Sequence, residues 1–426
     1  LLPFGEDSGD IAWVLAATAL VMLMTPALGF FYGGLVRQKN LISTIVQCFI
    51  VFAVVSLVWA LWGYSLAFGP NVDGVVGNLS NVGLNGVGVA PNPLYSATIP
   101  ALLYFAFQLK FAAITPALII GAVAERIRFK TLLIFIVLWT TLIYAPLAHW
   151  VWGDGGWLRN LGVLDFAGGL VVHISAGLSA IAAALVVGRR RDDPALRKSA
   201  RPNNVPFVIL GAALLWFGWF GFNGGSALAA NSVAVYAVIN TNLAAAAGAV
   251  SWMVVDWVWK GKPSAVGMAI GAVAGLVGIT PASGFVEPMA AILIGVGAGI
   301  LANLVSNWRL RSRLDDSLDV FACHGMGAVW GVVATGLFAT VAVNVAGASG
   351  LLYNGDPHLV LLQMFAVVVV AGFCFCGSYA LLTVIGWFTP LRVTPEEEDA
   401  GLDLSVHGEE AYDGASPPAP NGARAG

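Results

Sequence analysis

The chain has 426 residues, of which 58% are hydrophobic and only 10% charged, with a formal net charge of -3. Soluble domains carry about 25% charged residues, so this composition excludes a soluble globular protein and indicates an integral membrane protein. Nothing in the charge pattern points to nucleic acid, and Cys48, Cys323, Cys374 and Cys376 all lie in apolar runs, where small buried thiols are expected rather than disulfides or metal ligands.

The apolar runs predict eleven transmembrane helices, near residues 10–35, 41–68, 98–124, 130–151, 166–188, 206–225, 232–258, 265–281, 287–307, 320–342 and 359–389. The tenth, rich in Gly and Ala, is open to a shorter reading. With the N-terminus outside, the inside connections hold Arg37 and Lys39, then Arg126, Arg128 and Lys130, then the run from Arg189 to Arg201. Lys260 and Lys262, then Arg309, Arg311 and Arg313, and finally Arg392 and Arg424 continue the series. Only Arg159, outside, and Lys110, within the third span, depart from it, so the positive-inside bias supports eleven helices with N-out/C-in topology.

Two stretches repeat one spacing. Asp165 and His173 in DFAGGLVVHISAG, and Asp316 and His324 in DSLDVFACHGMG, each place an aspartate eight residues before a histidine. Eight helical residues rise about 12 Å, so each Asp can mark a helix entrance while its His lies inside. Helices entering from opposite sides of a core about 30 Å thick would bring both imidazoles near its middle. The IGAVA of Ile120–Ala124 recurs at Ile270–Ala274, an offset of 270 − 120 = 150, close to that of the Asp/His pairs. The expected architecture is therefore two inverted five-helix repeats, about 10–188 and 206–342, plus a last helix at about 359–389. Residues 1–389 form one membrane domain and 390–426 a cytosolic tail, disordered at its end. RRRDDPALRKSARPNN, Arg189 to Asn204, bridges the halves as a solvated basic loop, with a docking surface as the alternative reading.

Intramembrane ionisable residues are functional hypotheses by default. Gly and Ala around both histidines allow close helix approach, and two neutral imidazoles in contact can pass a proton. The alternative is two separate histidines, each satisfied by a carbonyl. Asp165 reads equally as a helix cap and as an attractor of cations; for Asp316, near Arg311 and Arg313, capping with local ion pairing is expected. Phe107 and Phe111 share one helix face, as do Phe222 and Ser226. Packing is the ordinary reading of such spacing; a cation cage with a hydroxyl acceptor is the functional one, which Trp152 could join. Lys110 must snorkel or find a partner. His149, His358 and His407 read as surface or interfacial residues.

The motifs PALGFFYGGLVRQKN (Pro26 to Asn40), FQLKFAAITPALIIGAVAERIRF (Phe107 to Phe129), DFAGGLVVHISAG (Asp165 to Gly177), GWFGFNGGSA (Gly218 to Ala227), DDSLDVFACHGMG (Asp315 to Gly327) and LRVTPEEEDAGLDLSVHGEEAY (Leu391 to Tyr412) occur in this order. In them the chain resembles the ammonium transporter family, the Amt/Mep/Rh proteins, and its bacterial Amt branch. The resemblance implies an outer ammonium recruitment site of Phe107, Trp152 and Ser226 supported by Asp165, a gate of Phe111 and Phe222, and a hydrophobic pore lined by paired His173 and His324. It also implies a homotrimer in membrane lipid, located in the cytoplasmic (inner) membrane, whose tail and loops meet a PII-type signalling protein. No metal or cofactor is implied. Lys110 departs from the family pattern, where an uncharged residue is expected, and bears on the electrostatics of the recruitment site.

A cation held by rings and a hydroxyl cannot cheaply cross a dry constriction, whereas ammonia, once the proton is lost, can. Potassium has no proton to lose, so the same step supplies selectivity. One competing reading is an ammonium-sensing receptor domain on the same fold. Another is an intramembrane enzyme using Asp and His, which neither a serine-nucleophile motif nor HExxH accompanies.

Overall fold

The computed structural model describes residues 5–191 and 202–412. Much of the Arg189–Asn204 bridge, Arg424 and the end of the tail lie outside the described residues, and the expectations placed on them with them. Among the described residues, ten helices are long and apolar enough to cross a membrane: α1 Ser8–Leu35, α2 Gln38–Phe68, α3 Ala101–Val123, α4 Phe129–Asn160 (interrupted at 153–156, after Trp152), α5 Gly169–Val187, α6 Val205–Gly225, α7 Ser232–Lys260, α9 Pro288–Arg311, α10 Phe321–Phe338 and α11 His358–Phe388. The shorter apolar helix α8, Ala265–Ile279, completes the eleven. The tenth span takes its shorter reading, ending at Phe338 with 18 residues, and the eighth, at 15 residues, is shorter still.

Side chains just ahead of several helices satisfy amide donors that have no intrahelical acceptor. Asp7 accepts from the N–H of Asp10, Asn204 from Phe207, Asn231 from Ala234 and Ser264 from Gly267. The long connection between α2 and α3 carries two small antiparallel hairpins, β1 Asn71–Val72 with β2 Val76–Gly77 and β3 Pro91–Asn92 with β4 Ser96–Pro100.

Helices in lipid gain little from mutual hydrophobicity and pack where small residues let backbones meet. Gly211, Gly218 and Gly221 set α6 against Phe31, Met24 and Ala17 of α1. Gly177 of α5 lies directly on the backbone of Gly325 of α10, where a Cβ would collide with it. That contact draws together two helices that share another irregularity, since Gly169–Ile174 and Phe321–Met326 are both wound as π-helix and each contains its histidine. Single π turns inside α-helices are rare and recur at functional sites.

At the face carrying most of the basic residues, buried Glu125 joins three segments. It accepts from Nε of Arg37 and Nη1 of Arg190, each at 3.0 Å, and from Nδ2 of Asn40 at 3.1 Å. Arg190 also binds Asp315 at 2.8 Å, and buried Arg126 donates to the carbonyls of Gly188, Ala122 and Asp315. The tail closes over this network through α12, Pro395–Ala400, with Thr394 and Glu397 forming a capping box. Asp403 then receives the N–H groups of Ile42 and Ser43.

Candidate functional site

A cavity of about 160 Å³ opens at the face opposite the basic network, lined among others by Tyr104, Gln108, Phe111, Trp152, Phe166 and Ser226. Ser226 follows the last turn of α6 and donates its hydroxyl hydrogen to the carbonyl of Phe222 at 2.8 Å. With the hydrogen committed, its oxygen lone pairs remain for an incoming donor. Trp152 is held by a 2.9 Å bond from Nε1 to the carbonyl of Asp165. Phe107 is fully buried and is not among the lining residues; its ring backs Phe111 at 4.9 Å, so Phe111 presents the aromatic surface to the cavity.

Below the cavity the rings form a continuous column. Phe111 and Phe222 approach to 4.3 Å between centroids, Phe222 lies 5.9 Å from the His173 ring, and His173 lies 5.3 Å from His324. The two Nδ1 atoms are 3.3 Å apart, and the residues retain 1% and 3% exposure. One shared proton must make one nitrogen a donor and the other an acceptor. Nε2 of His173 is buried without a partner. Trp219 stacks on His173 at 5.4 Å and is fixed by a bond from Nε1 to Thr280.

Asp165 caps α5. Its two oxygens accept from the N–H groups of Gly168, Gly169, Leu170 and Val171 at 2.6–3.2 Å, and the turn needs Gly168 at φ +119. Burial pushes this carboxyl above its usual value while the four donors pull it back.

Several sequence expectations need correction. Asp316 caps, accepting from the N–H of Phe321 at 2.7 Å, but it is not paired with Arg311 or Arg313. Its neighbours take the arginines instead, Asp315 binding Arg190 and Asp319 binding Arg309. His149 is fully buried, one ring nitrogen 2.9 Å from the Ala67 carbonyl and the other 2.9 Å from Asn71 Oδ1, because the loop after α2 folds over the end of α4. His407 is partly covered by Phe129, whereas His358 is exposed. Cys376 is exposed on α11, unlike the other three thiols. Lys110 turns from the cavity toward α2, its Nζ 5.0 Å from the centre of the Phe52 ring.

Sequence reasoning did not single out Tyr104, Gln108, Trp219 or Arg159 as parts of this site. Arg159 lines the cavity, donates to the Trp152 carbonyl at 3.1 Å and lies 3.9 Å from Asp154. Trp219 had a usable signal, standing three residues before Phe222 on α6. Among the described residues no group of three or more His, Cys, Asp and Glu could hold a metal ion.

The model of the Ammonium Transporter Family matches residues 12–412. The ammonium transporter of Bacillus subtilis is 50% identical over 405 residues, covering 95% of this chain and 98% of the relative. The crystal structure of Saccharomyces cerevisiae Mep2 superposes with a TM-score of 0.85 at 37% identity, covering 92% of this chain and 89% of the other. A structure described as a Sensor Amt Protein gives a TM-score of 0.84 at 32% identity over 93% of this chain and 98% of the other.

Proposed function

The chain belongs to the ammonium transporter family, a multi-pass membrane protein and not an enzyme, and from that premise we propose that it carries ammonium by separating the ion from its proton at the ring column. Ammonium is recruited from outside into the aromatic cavity, where Ser226 accepts one N–H and the faces of Phe111 and Trp152 attract the charge. Phe107 supports Phe111, and Asp165 holds both the start of α5 and, through its carbonyl, Trp152. Phe111 and Phe222 form the gate beneath.

Beyond the gate the intact cation would have only rings and aliphatic groups in place of water, a cost of several kcal/mol. Ammonia avoids that cost, and its proton takes the imidazole pair as a separate route. Potassium, unable to divide in this way, stays outside. The observation that carries the reading is the 3.3 Å contact between the two Nδ1 atoms, buried directly behind the Phe111–Phe222 pair.

The test is the current evoked by an ammonium pulse in proteoliposomes on a supported membrane. The parent is expected to give a saturating current, and His173→Ala and His324→Ala to lose it. Fast ammonia-driven pH change without current would instead mean a neutral gas channel.

The wider reading has the basic face in the cytosol and the amino terminus outside, which the distribution of Lys and Arg supports. It has two inverted five-helix repeats, homotrimeric assembly, and a PII-type protein meeting the tail and basic loops. Ammonium sensing is the second reading, favoured by the likeness to the Sensor Amt Protein structure. Tight ammonium binding without transport would select it.

A further inference from the structure

Two polar side chains sit on the membrane-facing surface far from either end of a span, where lipid offers them no partner. Lys110 of α3 is partly exposed, its Nζ 5.0 Å from the centre of the Phe52 ring of α2. It stands nine residues, about 14 Å, inside the outer end of its helix, too deep for its stem to carry the ammonium to the interface or for a lipid phosphate to reach it. Asn242 of α7 is exposed, ten residues or about 15 Å inside the outer end of its own helix. Neither side chain makes a hydrogen bond or an ion pair among the described residues, where Asn242 is also the one exposed amide side chain away from a span end.

Both lie in stripes that are otherwise apolar. Phe49, Leu57 and Leu61 continue the exposed face of α2 beside Lys110, and Val235, Ile239 and Val250 that of α7 around Asn242. A cation facing only a ring and an amide facing only lipid are each costly at this depth. Polar side chains so placed join transmembrane helices by bonding across the contact. Within one chain these two cannot meet, because α1 packs on α2, α3 and α6, and α6 on α7, which sets the α1–α6 pair between them.

Their depths agree. The Phe107 ring lies against Gly225 at the outer end of α6, and Val238 of α7 against the adjacent Gly224, which puts Phe107 and Val238 at one level. Lys110 is three residues further in and Asn242 four, and both helices run inward, so the two Cα atoms differ in depth by about 1.5 Å. Copies of one membrane protein share an orientation and are related by rotation about the membrane normal, which preserves depth, so groups joined across such a contact must lie at one level.

We propose that Lys110 donates a hydrogen bond to the side-chain oxygen of Asn242 of the partner subunit, so that the α2–α3 face of each copy meets the α7 face of the next and the repeated contact closes into a ring. Donor and acceptor stand on different faces, so the contact is head-to-tail, and each supplies what the other lacks at the same depth. The inference rests on the homotrimeric reading and names its pairing.

The test is oligomer size in dodecyl maltoside, followed by native mass spectrometry along a titration with SDS, for the parent, Lys110→Met, Asn242→Leu and the double variant. Lipid accepts both replacements, so the fold of each subunit is retained. Each single variant is expected to raise the apparent dissociation constant about tenfold, the scale of a hydrogen bond to a charged group, and the double variant to be no weaker than either, because one bond is lost in all three. Asn242→Asp should tighten assembly in the parent and weaken it in the Lys110→Met background, where the carboxylate has no cation. Single variants that assemble like the parent, or losses that add in the double variant, would overturn the pairing and leave the homotrimer standing. A parent that is not trimeric overturns the homotrimeric reading, and the inference falls with it.

Discussion

Ser226 shows how much depends on where one hydrogen points. Because its hydroxyl donates to Phe222, the oxygen is left as an acceptor at the cavity, which on the proposed function would suit ammonium and reject a carbonyl ligand. Hydrogen bonds to charged groups contribute about 1.5–3 kcal/mol, so Ser226→Ala should raise the ammonium concentration for half-maximal current by roughly tenfold or more. The maximal current should change less, and titrating the pulse concentration separates the two; an unchanged half-saturation would remove Ser226 from the site. At this scale the sequence was informative wherever a residue type was costly in lipid. His173, His324 and Asp165 stood out by charge and spacing alone. Arg159 and Gln108 did not, because whether a polar residue lines a cavity depends on which helix lies opposite. His149 was misread for the same reason, its two partners coming from Ala67 and Asn71, 82 and 78 residues away.

Between α5 and α10 the decisive feature is the absence of side chains at Gly177 and Gly325. Their backbone contact lies four residues beyond His173 and one beyond His324, so any widening there is passed to the imidazoles. Gly177→Val should cost about 1–3 kcal/mol through overpacking, seen as an earlier thermal melt in detergent, and should abolish the pulse current by parting the rings. Parental melting and current would show that α10 can yield without losing the pair. Helix positions were legible to within several residues because lipid demands long apolar runs; the fourth span, expected to end at 151, stops at Trp152, and only a separate short helix, Trp157–Asn160, follows it. The π turns were not legible, since an extra residue per turn leaves the composition unchanged. The arginine partners of DDSLD were also misassigned, because three aspartates within five positions compete for cations that only folding brings near.

Across the whole molecule, the basic-face network ties the α1–α2 turn, the α3–α4 turn, the chain after α5 and the segment before α10 into one layer. Burial pushes Glu125 up, but Arg190 and Arg37 outweigh it and hold the carboxyl below its usual value. Asp315 is likewise drawn far down by Arg190 and Arg126 despite burial. Carboxyls lowered by folding stabilise the native state above their ordinary range, and that contribution is lost as pH falls through the folded values. The parent should therefore melt earlier below about pH 4, whereas Asp315→Asn should melt earlier than the parent at pH 7 and show a shallower decline on acidification. Parallel melting curves would mean that the network adds no net stability. The family and the span count were legible in the sequence; the layer was not, because its members lie in short polar turns whose charges read singly as topology signals. The Nδ1-to-Nδ1 contact has one last consequence, for turnover. On the proposed relay, a proton entering at Nε2 of His173 would move the shared hydrogen to His324 and release another from Nε2 of His324. Both rings are then left as the opposite tautomer, and the next proton would meet a hydrogen where it needs a lone pair. Such a wire would have reversed its polarity and would need resetting before it could fire again, so each crossing would leave the protein with a memory of the last one.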